Sequence, residues 1–150
     1  MRLTPYNKPG AAVSEAQIRV RYAETDQMGV VYHSNYIIWF EVGRVELLRQ
    51  LGYTYKDFEA DGMHLPVVEV RCRYKASALY DDQIIIRTRM NNVRGALIQF
   101  GYDVVRASDR TLLAEGESTH IVTDANMQRT SLPEKYLSPF LKAMGDAKDK

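Results

Sequence analysis

Cysteine occurs once, at Cys72, and histidine three times in a chain of 150 residues. A single thiol closes no internal disulfide, which fits a reducing cytoplasm. His33, His64 and His120 stand far apart and, with the one cysteine, show no metal-ligand spacing. Charge of one sign is lacking too. Lys+Arg number 20 against 19 Asp+Glu, a formal net charge of +1, which argues against a nucleic-acid partner. No apolar run approaches the ~20 residues of a membrane span. The opening MRLTPYNKPGAAVSEAQ has none of the continuous apolar stretch of a secretory signal. What remains is a soluble cytoplasmic enzyme or binding module, a single domain over residues 1–150. A chain of this length buries roughly 70% of its unfolded surface and needs no disulfide to hold a core.

The pattern along the chain is α+β. Residues 1–15, with Pro5, Pro9 and Gly10, read as a loose arm. QIRVRYA (Gln17 to Ala23) alternates Ile18, Val20 and Tyr22 against Arg19 and Arg21, the mark of a half-buried strand. ETDQMGVVYHS is a loop, with Ser34 or Asn35 as candidate N-caps. A helix runs from about Tyr36 to Leu51, closed by Gly52, and YTYKDFEADG is a short helix or a loop. From Pro66 the period changes to two. VVEVRCRYK, QIIIRTRM, ALIQFGYDVVRA and TLLAEGESTHIVT are separated by ALYDD, NNVRG and SDR, which predicts a four-stranded antiparallel meander. A short helix follows over 133–144, near Pro133.

Spaced at 100°, the long helix carries Tyr36, Phe40, Gly43, Leu47 and Leu51 on one stripe and Ile38, Val42 and Val45 nearly opposite. A helix apolar on two sides is expected to be buried on two sides. Gly43 in the main stripe allows close approach to a sheet. The simplest arrangement is a curved antiparallel sheet of about five strands wrapped around this helix.

VRYAETDQMGVVYHSNYIIWFEVGRVELLRQLG (Val20 to Gly52) and VEVRCRYKASALYDDQIII (Val68 to Ile86) carry a family resemblance. With the D-x-x-G-x-V-Y-x-x-N-Y spacing run directly into an apolar helix, the chain resembles the 4-hydroxybenzoyl-CoA thioesterase family. More narrowly, it resembles the Tol-Pal-associated acyl-CoA thioesterase branch of that family, of hotdog fold. The likeness spans about Gln17 to Thr123. It implies an acyl-CoA thioesterase with an acyl-CoA substrate, no cofactor, and assembly as a homodimer or homotetramer with the site between protomers. It places Asp26 on the catalytic carboxylate, as nucleophile or general base. Val31, Tyr32 and His33 fall where the chain enters the helix and a backbone N–H binds the thioester carbonyl oxygen; by position that donor is His33. Asn35 and Tyr36 match the N-Y pair. Glu41 is the alternative carboxylate, in the manner of relatives with a helix-borne glutamate.

The chemistry suits the place. Thioester hydrolysis needs charge stabilisation where the carbonyl oxygen turns anionic, and a group that attacks or activates water. A helix N-terminus offers unpaired N–H donors and a partial positive charge, and one such donor is worth ~3 kcal/mol in comparable sites. Gly29 lets the loop turn and a bulky thioester approach. Against this, an Asp before a helix is most often a turn residue, and the His33 side chain either orients Asp26 or merely meets a neighbouring backbone group. His64 and His120 read as structural or exposed, and Trp39 as core or interface. Arg19, Arg21, Arg71, Arg73, Lys75, Arg87 and Arg89 lie at outward-facing positions. They form either a solvated face or a grip on coenzyme A phosphates, in which case Arg71, Arg73 and Lys75 are the candidates. Two rivals stand: a hotdog hydratase or dehydratase, against which His33-Ser34-Asn35-Tyr36 speaks, and a non-catalytic acyl-CoA binding module.

Overall fold

The computed structural model describes residues 10–145. The elements are β1 (Val13–Arg19), a 3-10 turn (Tyr22–Glu24), α1 (Ser34–Gln50), α2 (Tyr55–Ala60), β2 (Val67–Tyr74), β3 (Gln83–Arg94), β4 (Leu97–Arg106), β5 (Leu112–Ile121) and α3 (Glu134–Ala143). All strand pairs are antiparallel, in one five-stranded sheet of order β1-β3-β4-β5-β2. α1 lies across its inner face, packed on β1 and β3.

Gly43 is what brings helix and sheet so close. A methyl group there would overlap the Thr88 hydroxyl and stand 2.8 Å from Ile86 Cγ2. One turn earlier Phe40, fully buried, stacks on Tyr102 with ring centroids 4.3 Å apart. Gly116 on β5 leaves the space that the Phe40 ring fills. Gly52 ends α1 with φ +99°, a left-handed conformation that suits glycine. The Thr54 hydroxyl accepts from Asp57 N and the Asp57 carboxylate accepts from Thr54 N, a capping box that starts α2.

Seven expectations are corrected. β1 begins at Val13 rather than Gln17, so residues 13–15 belong to the sheet, not to an arm; positions 1–9 lie outside the described residues. Tyr22 is 76% exposed on the 3-10 turn, because the strand stops at Arg19. The N-cap of α1 is His33, not Ser34 or Asn35, and no side chain caps it. NNVRG is not a turn: β3 continues through a bulge at Met90/Asn92 to Arg94, and the chain reverses at Gly95 and Ala96. Nor does β2 pair with β3. It pairs with β5 at the far edge, so only β3, β4 and β5 form a meander.

The helix face opposite the sheet is also left uncovered by the described residues: Ile38 is 55% and Val42 38% exposed. The strand arginines divide as well. Arg89, expected to face outward, is buried beside the fully buried Asp103 at 3.6 Å.

Candidate active site

The misread connection from β2 to β3 builds the site. Residues 75–82 leave edge strand β2 and cross past the N-terminus of α1 to β3, three places along the sheet. On the way Val31 N donates to Ala78 O at 2.9 Å, Ala78 N donates to the Tyr36 hydroxyl at 3.3 Å, and Val30 bridges Leu79. Crossover and loop thereby enclose a pocket of about 380 Å³ lined by Asp26, Met28, Val30, Val31, His33 and Tyr36 on one side and by Tyr74, Lys75, Ala76 and Ser77 on the other.

Asp26 opens a tight turn. Gly29 N donates to Asp26 O at 3.0 Å, Asp26 N donates to Val30 O at 2.8 Å, and Gly29 takes φ +83° at the left-handed position. Asp26 Oδ1 accepts from Met28 N at 2.8 Å, the ordinary work of a turn aspartate. No donor among the described residues reaches Oδ2.

The helix start has the donors that its geometry leaves over. Tyr32 N donates to Glu24 O at 2.8 Å, Asn35 N to Tyr32 O at 3.0 Å and Tyr36 N to His33 O at 3.3 Å. Nothing among the described residues accepts from His33 N–H. His33 O also accepts from the Tyr74 hydroxyl at 2.9 Å, which ties β2 to the helix start. The Tyr74 phenol is pushed well above its ordinary value, first by burial and then by Cys72 beside it. It therefore stays protonated and donates.

Of the sequence-predicted residues, the pocket gathers Asp26, Val31, His33 and Lys75. Gly29 serves the turn behind it. Tyr32 is half exposed, its ring 4.4 Å from the imidazole of His33. Asn35 turns inward and its Nδ2 donates to Glu24 O at 2.9 Å. Arg71 pairs with Glu117 at 2.8 Å along the sheet surface, and neither it nor Arg73 lines the pocket. Glu41 is exposed and absent from the lining. Sequence reasoning missed Tyr74, Ala76 and Ser77, which only the crossover reveals, and Glu24, which looked like one more loop carboxylate.

A second histidine sits in a different kind of cluster. His120 is fully buried. Its Nδ1 is 3.2 Å from Leu65 O and its Nε2 is 2.9 Å from Ser118 Oγ. Ser118 Oγ is 2.6 Å from the Tyr102 hydroxyl, and Arg44 Nη1 donates to Tyr102 at 3.5 Å. A guanidinium only donates and a carbonyl only accepts, so the chain runs one way, Arg44 to Tyr102 to Ser118 to His120 to Leu65 O. That puts the proton on Nδ1. Burial, and then Arg44, push the His120 pKa down to about 4.

With this geometry established, the chain can be compared with known proteins. The profile of the thioesterase-like superfamily matches residues 20–141, most of the chain and all of the pocket. The chain belongs to the thioesterase-like superfamily. Bacillus subtilis YneP is 40% identical over 112 residues, covering 75% of this chain and 80% of its own. The acyl-CoA thioester hydrolase YbgC of Escherichia coli O157:H7 is 32% identical over 124 residues, 82% of this chain and 92% of that one. Among solved structures, the DHNA-CoA thioesterase of Staphylococcus aureus superposes with a TM-score of 0.79 at 30% identity, over 87% of each chain. The sheet and central helix of this superfamily member are the hotdog fold. Membership supports a thioester hydrolase. Among the described residues no His/Cys/Asp/Glu group has the arrangement of a metal site, and no helix is long and apolar enough to cross a membrane.

Proposed function

We propose that the chain is an acyl-CoA thioesterase, hydrolysing an acyl-CoA to a carboxylate and free coenzyme A. The observation that carries the reading is the meeting of Asp26 with the unpartnered His33 N–H at one pocket. In this mechanism the thioester carbonyl oxygen takes the hydrogen bond from His33 N–H, strengthened at the helix N-terminus as the oxygen becomes anionic. Asp26 attacks the carbonyl carbon through Oδ2, or takes a proton from a water that does. Val31, Tyr36 and Tyr74 limit water around the reacting bond. Lys75, which lines the pocket and pairs with Glu115 at 3.8 Å, is assigned to the coenzyme A phosphates, and Arg71 and Arg73, farther along the same edge, to a long phosphate tail rather than the thioester.

The assembly reading rests on β2. It is an edge strand with Val68 57% and Tyr74 45% exposed, and an unpaired edge offers its backbone to another strand. Two copies joined through β2 would bring a second chain to the mouth of each pocket, and the exposed Ile38 and Val42 face suits a further pairing into tetramers. The cytoplasm, with its coenzyme A esters, is the compartment this chemistry requires.

The test is turnover of acyl-CoAs of graded chain length, aliphatic and aromatic, with thiol release as the readout. Steady turnover of at least one class is expected. Binding without turnover across the series would turn the reading to a binding module.

A further inference from the structure

Glu24, at the end of the 3-10 turn, is buried where the three residues before it are exposed, and every one of its acceptor atoms is used. Oε1 accepts from Arg21 N at 2.8 Å; Oε2 accepts from the Trp39 indole at 3.1 Å and from Arg21 Nη2 at 3.4 Å. Its backbone oxygen accepts from Tyr32 N and from Asn35 Nδ2. One residue thus holds the strand end before the Asp26 turn, the residue just before His33, and the first and second turns of α1. Burial alone would raise its carboxyl, but the Arg21 N–H, the indole and the guanidinium outweigh it and hold it below its ordinary value.

The consequence falls on one peptide plane. Tyr32 C=O and His33 N–H belong to the same trans peptide and point in opposite directions. Asn35 N fixes the carbonyl toward the helix, so the N–H is turned away from the helix, and His33 is one of the residues that line the pocket. Glu24 fixes the two groups that flank this plane, Tyr32 N and the Asn35 side chain. We propose that Glu24 is a positioning residue: its buried carboxylate clips the Asp26 loop to α1 through Trp39 and aims the His33 N–H at the thioester carbonyl. The proposal rests on the thioesterase reading for its consequence, not for its geometry.

The experiment compares wild type, Glu24→Gln, Trp39→Phe and the double variant by steady-state kinetics on the best acyl-CoA of the screen, below the melting temperature of each, and by amide hydrogen exchange at Tyr32 and His33. Glu24→Gln replaces one acceptor oxygen by a donor facing donors. It is expected to lower kcat ~10–100-fold with KM within about threefold, the pattern of a displaced transition-state contact. Tyr32 N–H exchange is expected to speed up at least about tenfold. Trp39→Phe, which removes the indole N–H together with part of a buried ring, shifts both in the same direction by less, and adds little to Glu24→Gln because the two share one bond. A folded Glu24→Gln or Trp39→Phe with wild-type kcat and unchanged Tyr32 protection overturns the proposal. Should wild type turn over no thioester, the thioesterase reading fails, and exchange at Tyr32 alone still decides whether the clip exists. If Glu24→Gln does not fold, Trp39→Phe carries the same two readouts.

Discussion

Two buried hydrogen-bond clusters touch α1, and they end differently. At the helix start Glu24 collects donors from Arg21, Tyr32, Asn35 and Trp39, and the cluster stops at His33 N–H and Asp26 Oδ2, two groups of pocket-lining residues with no partner among the described residues. Beneath the middle of the helix, Arg44, Tyr102, Ser118, His120 and Leu65 O form a chain that runs from a guanidinium donor to a backbone acceptor and occupies both ring nitrogens of His120. Each cluster includes a histidine, exposed at His33 and fully buried at His120. A buried histidine with both ring nitrogens occupied has nothing left for a ligand, and its contribution is to the fold. A chain left open at a pocket holds its last groups ready for something outside the molecule. Histidine as a residue type said nothing about this; the partners of its neighbours did.

If that division is right, the largest effect lies at the open cluster. Asp26→Asn keeps the volume and the bond from Met28 N while removing the carboxylate. It is expected to cut kcat/KM by at least ~10²–10⁴-fold, the range for a positioned acid–base group, with the melting temperature little changed. The check is kinetics on a variant shown folded by circular dichroism. Retention of more than a tenth of activity would end the assignment and raise Glu41.

The closed cluster predicts a stability effect instead. His120 has a folded pKa of about 4 against an ordinary 6.5, so as pH falls the unfolded chain takes the proton first. Stability on this account is fully present above about pH 6.5 and is lost progressively down to about pH 4. The loss is ~3 kcal/mol for a shift of this size. Urea midpoints measured across that window should show the slope, and His120→Gln should flatten it. Between these two regions, Gly43→Ala pushes a methyl group into Thr88 and Ile86 and is expected to destabilise by ~1–3 kcal/mol, read from chemical denaturation. The smallest effect belongs to Glu41→Gln: exposed and outside the pocket lining, it should leave activity within about threefold.

The same contrast marks how far sequence reading reaches. The long helix, Gly43 at its contact with the sheet, Gly52 at its end and the period-two strands were legible, because burial imposes those periods on side chains. Asp26, Val31 and His33 were expected together through the resemblance and Lys75 from the strand charges, and all four line one pocket. Strand order was not legible. Alternation with a polar turn reads identically whether β2 pairs with β3 or crosses to β5, and so Ala76 and Ser77 passed as a hairpin. β1 was misplaced because VSEAQ, at the sheet edge, lacks a clean alternation, whereas RVRYA has one but lies mostly beyond the strand. Glu24 escaped since nothing in ETD separates a carboxylate that clips a helix from one in solvent. Its partner Trp39 is fifteen residues away.

The claim that the open end of the Glu24 cluster is the reacting site is tested most directly by nuclear magnetic resonance of the ¹⁵N-labelled protein with a non-hydrolysable acyl-CoA analogue. The account predicts that the His33 amide moves downfield and becomes protected from exchange on saturation, while the His120 ring signals stay in place. Saturable binding that leaves the His33 amide unmoved would contradict it.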